Sequence, residues 1–82
     1  MACSKNIAIT RLQHEKGLLI KLRKNLLSEL NDLYTKQIAY IQYADDIDMD
    51  IQEKINDHIE RYNYNLDRIA TVNNTLSILK EL

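Results

Sequence analysis

Asp46-Ile47-Asp48-Met49-Asp50 places carboxylates at alternate positions, the spacing that opens an EF-hand calcium loop. Such a loop also needs a Gly at its sixth position for a sharp turn and a bidentate Glu at its twelfth. Ile51 and Asp57 stand there instead. The same acids have a second use. An Asp side chain accepts N–H bonds from the first turn of a helix, and its charge suits the positive end of the helix dipole. Asp50 with Glu53 three residues on reads as a capping box, with Asp46 and Asp48 as alternative caps. Capping is the reading adopted, and no metal or other cofactor is expected.

The remaining reactive side chains are few. His14 and His58 are the two histidines, and neither belongs to a set with zinc-ligand spacing. Cys3 is the one cysteine, which excludes an internal disulfide. No nucleophile, base and orienting group are seen to converge, so an enzyme is not expected. Lys16, Lys21, Arg23 and Lys24 form a basic cluster that reads as a solvated face. Binding of nucleic acid through it is the alternative function, set against a net charge of −1 and the absence of any helix-turn-helix spacing. Asn73-Asn74-Thr75 matches a glycosylation signal formally and is read as chance.

The elements that must position these groups are helical. The 82 residues include no Pro and one Gly, Gly17, so there are few places for the chain to break. Apolar residues spaced alternately three and four apart predict one helix over about 5–43 and a second over about 50–81, with a turn over about 44–49. Gly17 marks a candidate kink or break in the first. The expected fold is all-α, a long antiparallel two-helix hairpin in a single domain over residues 1–82, of coiled-coil character, pairing into a helical bundle.

A turn near Ile47 would make facing residues sum to about 95. That register pairs Ile41 with Ile55, Leu33 with Tyr62, Leu30 with Leu66, Leu26 with Ile69 and Leu19 with Leu76, and sets Glu15 opposite Lys80. Asn73 would then interrupt the seam of the second helix, the kind of polar residue that fixes register. Residues 1–43 hold seven Lys/Arg against three acids, and residues 44–82 hold four against nine. The two helices should therefore attract each other or a second copy.

Two rods side by side leave much apolar surface wet, and a large exposed stripe marks an interface. The expected interface comprises Ile20, Leu27, Tyr34, Ile38, Tyr40, Tyr43, Tyr64, Val72 and Leu79, with Ile38 and Leu79 also counted in the seam. Leu18, Ile51, Ile78 and Leu82 fall outside the seam too. The expected partner is a protein, a homodimer mate or a helical heteropartner. The competing arrangement folds residues 1–16 back over the stripe as a third helix. No apolar run approaches the ~20 residues of a membrane span, and no segment of signal-peptide type opens the chain, so a cytoplasmic location is expected. A non-catalytic helical interaction or assembly module is the function these features predict.

Overall fold

A computed structural model describes residues 2–82, with side chains from Lys5 onward. Two helices, α1 (Ala2–Ala44) and α2 (Met49–Glu81), pack antiparallel as an all-α hairpin. A 43-residue helix rising 1.5 Å per residue is ~64 Å long, and the molecule measures 64 × 15 × 15 Å. Among the described residues no third helix folds back: α1 runs unbroken through residues 5–16 and through Gly17. A Cβ added at Gly17 would meet nothing within 4 Å, so the glycine answers no steric demand within the hairpin.

The turn is built by aspartates. Asp45 adopts φ 57°, a left-handed conformation that Asp tolerates better than most residues, and its N–H bonds the Ile41 carbonyl at 2.9 Å. Asp46 Oδ1 accepts from Ile47 N at 2.7 Å. Asp48, not Asp50, caps α2: its backbone is extended, and Oδ1 accepts from Asp50 N at 2.9 Å and Ile51 N at 3.1 Å.

The seam follows a seven-residue repeat. In α1 the less exposed residues are Lys5, Ile9, Leu12, Lys16, Leu19, Arg23, Leu26, Leu30, Leu33 and Gln37, joined only by Ala8, Glu15 and Ile20. In α2 the repeat runs Ile51, Ile55, His58, Tyr62, Asn65, Ile69, Val72, Leu76, Leu79. Of the expected α2 seam, Ile55, Ile59, Tyr62, Leu66, Ile69, Asn73, Leu76 and Leu79, three positions are thus displaced by one residue: His58 replaces Ile59, Asn65 replaces Leu66 and Val72 replaces Asn73. Both versions share Ile55, Tyr62, Ile69, Leu76 and Leu79, and neither is uniformly apolar. At Ile59 and Leu66 the expected version would be greasier; near the open end Val72 is greasier than Asn73.

The register also differs from expectation. Inter-helix hydrogen bonds join Leu19 to Asn65, Glu15 to Arg68 and Glu29 to His58, with position numbers summing to 84, 83 and 87 rather than 95. Glu15 therefore meets Arg68, not Lys80. The cause lies at the turn. Gln37 is hydrogen-bonded to the Asp48 backbone, so seven further residues of α1 project beyond that level. After Asp45 reverses the chain, residues 46–48 retrace the projection, since three residues at up to ~3.3 Å each reach about as far as the rise of seven helical residues at 1.5 Å. Every residue from Ile38 to Ile47 is consequently exposed.

Candidate protein-interaction surface

Two polar side chains organise the interior. Gln37, 5% exposed, accepts from Asp48 N through Oε1 (2.9 Å) and donates through Nε2 to Asp48 O (3.0 Å) and Gln52 Oε1 (3.2 Å). One side chain thereby satisfies both backbone groups of the α2 cap residue. Asn65, 2% exposed, donates from Nδ2 to the Leu19 carbonyl at 2.9 Å, while its Oδ1 has no protein partner. The register-fixing role expected of Asn73 thus falls to Asn65, and Asn73 is a half-buried residue beside the seam. Sequence reading missed both. The available signal was their place in an unbroken four-and-three repeat, outweighed by apolar neighbours at Ile38 and Leu66.

The groups first considered for chemistry are spread out. His58 Nε2 lies 2.9 Å from Glu29 Oε2, and Nδ1 lies 3.0 Å from the Lys54 carbonyl. His14 is exposed about 44 residues earlier in the chain, on the other half of the rod. Among the described residues no group of three His, Cys, Asp or Glu side chains is placed to hold a metal. Cys3 lies outside the residues whose side chains are described. The basic cluster does not form one patch. At 100° per residue, Lys21 and Lys24 point well away from Lys16 and Arg23, which lie half-buried in the seam.

The flanks of the seam differ sharply. On one flank Glu15 pairs with Arg68, and Leu22, Glu29, Arg61, Tyr64 and Arg68 line a groove of about 560 Å³. This edge is charged along its length, with Lys36 and Lys54 completing it towards the turn. The opposite flank must carry the residues on the other side of each seam. In α1 these are Ile20, Leu27, Tyr34 and Ile41, seven apart; in α2 they are Gln52, Ile59, Leu66 and Asn73, also seven apart. Leu27 and Tyr34 are each 44% exposed, Ile41 40% and Leu66 37%. With the next row out (Asn31 and Ile38; Asn56, Asn63, Ala70 and Ser77), this edge bears a single charge between residues 20 and 77, Lys24. In a chain where 28% of residues are charged, the depletion is specific to this edge.

The expected interface residues are therefore divided. Ile20, Leu27, Tyr34 and Ile38 lie together on the charge-poor edge, where Ile41, Ile59 and Leu66 join them although they had been placed in the seam. Tyr40 and Tyr43 lie on the projecting end of α1, and Tyr43 is 92% exposed. Tyr64 sits on the charged edge, as do Leu18 and Ile78 by their place in the repeat. Val72 is corrected outright: it is 4% exposed, buried between the helices, and offers nothing to a partner. Leu79 is half-buried in the seam for the same reason, its spacing from Leu76 continuing the repeat.

No described helix is long and apolar enough to cross a membrane. Compared with known proteins, the chain matches no family model, no curated protein and no solved structure.

Proposed function

We propose that this protein is a non-catalytic helical interaction module, working through the charge-poor edge that runs along both helices. Helices that face a bundle core carry apolar residues at the two seam positions and at one flanking position of each seven. The third position is apolar throughout Ile20, Leu27, Tyr34 and Ile41 of α1 and at Ile59 and Leu66 of α2, and on both helices it falls on the same edge. A two-helix pair of coiled-coil type needs only the seam. The extra apolar row supports a reading in which at least one more helix lies against it, burying Leu27, Tyr34 and Leu66 further. Exposed apolar strips of this extent mark interaction sites in other proteins.

Site-specific photo-crosslinking in the native cell tests the reading. A benzophenone side chain at position 27 or 66 should give protein adducts, while the same group at the outward-facing Ser28 or Asp67 should give none. Adducts from the outward positions alone, or from neither set, would overturn it.

A further inference from the structure

We propose that the occupant of the charge-poor edge is a second copy of this chain, lying alongside in the opposite direction to close a four-helix bundle. The inference rests on the interaction reading above and adds the partner and its orientation.

Surface area is the first argument. The molecule exposes 6382 Å², whereas a compact protein of 9.7 kDa exposes about 5,100 Å². The excess, roughly 1,250 Å², exceeds the ~800 Å² per partner of a standard stable interface. The hairpin thus has surface to give up on the scale that one like-sized partner removes.

Self-complementarity is the second. A two-fold axis sets an edge against itself. An edge with charges of one sign would repel its own copy, and an edge with both signs would need them in matching places. This edge avoids the problem, because Lys24 is its one charge between residues 20 and 77. The opposite edge, with Glu15, Glu29, Arg61 and Arg68, offers no such neutral strip.

Charge along the rod is the third, and it decides direction. Folding sorts the charges by end rather than by helix. Residues 24–61, the turn half, carry nine Asp/Glu against Lys24, Lys36, Lys54 and Arg61, a net of −5. Residues 1–23 and 62–82, the open half, carry seven Lys/Arg against three acids, a net of +4. Two copies side by side in the same direction would stack like charge at both ends. In opposite directions, each acidic turn half lies beside a basic open half, the arrangement that electrostatic complementarity selects.

Sedimentation equilibrium of the purified full chain tests the assembly. A mass twice that of the 9.7 kDa chain is expected at micromolar concentration. Leu27→Glu with Leu66→Glu should give the single-chain mass with an undiminished helical circular dichroism spectrum. Leu18→Glu with Ile78→Glu, on the other edge, should leave the dimer intact. A spin label at Gln42→Cys in a Cys3→Ser background reports direction: a label-to-label distance approaching the 64 Å rod length is expected, and a short distance would overturn the antiparallel arrangement. A single-chain mass at 100 μM, or a dimer lost only through Leu18 and Ile78, would overturn the proposal. In that event crosslinks from positions 27 and 66 to a different protein would leave the interaction reading standing, and their absence would remove both.

Discussion

Among the described residues Gln37 and Asn65 are the two buried polar side chains, and they act in opposite directions. Gln37 accepts from the Asp48 N–H, which would otherwise lose its partner in a half-buried place, and shares the Asp48 C=O with the Gln52 N–H. Leaving buried polar groups unpaired costs about 1–3 kcal/mol. Gln37→Leu should therefore lower the unfolding free energy by about 2 kcal/mol, read as a fall in the urea midpoint. Asn65 keeps one orphan oxygen, Oδ1, and its Nδ2 bonds a carbonyl within α1. Asn65→Leu removes that orphan and adds apolar burial, so stability should rise by about 1–2 kcal/mol. A destabilised Asn65→Leu protein would show that the Leu19 hydrogen bond is worth more than the unpaired oxygen. Exposed ion pairs such as Arg61–Asp57, in contrast, contribute at most about 0.5 kcal/mol.

At the scale of the helix, α1 was legible because nothing in its composition interrupts it. Gly17 was the one doubtful point, and the helix passes through it because a single glycine costs only about 1 kcal/mol, a small term beside the seam contacts on both sides. Since a Cβ there meets nothing in the hairpin, Gly17→Ala should stabilise by about 1 kcal/mol in a denaturant titration. The turn was legible in outline, since four aspartates in six residues announce a helix start. Which of them caps was not, because Asp46, Asp48 and Asp50 have the same chemistry and the choice depends on how far the chain retraces along α1. Residues 38–44 project past the contact with α2, so their amides should exchange with deuterium faster than those of residues 60–72, whose side chains include Asn65, Ile69 and Val72.

The whole molecule is thin, with a radius of gyration of 18.6 Å, where a compact chain of 82 residues would have about 12 Å. A rod of two helices has little interior, and its core reduces to one line of residues that includes Leu26, Ile55, Ile69, Val72 and Leu76. Stability supplemented by association depends on concentration. The melting temperature should therefore rise with protein concentration between 1 and 100 μM for the parent chain, and stay flat for Leu27→Glu with Leu66→Glu. A flat profile for the parent would tie its stability to the single hairpin.

Helical periodicity, the scarcity of glycine and proline, and the acidic corner were enough to dictate two long helices and the place where they part. Those are local properties: each depends on residues within a turn or two of one another. Which helix face meets which, and at what height, was decided only in three dimensions. Ile59 and Leu66 compete with His58 and Asn65 for the seam, and sequence hydrophobicity favours the losers near the turn. The outcome is set by one rigid helix having to serve its whole length at once, and by a corner that doubles back far enough to slide α2 along α1 by several residues.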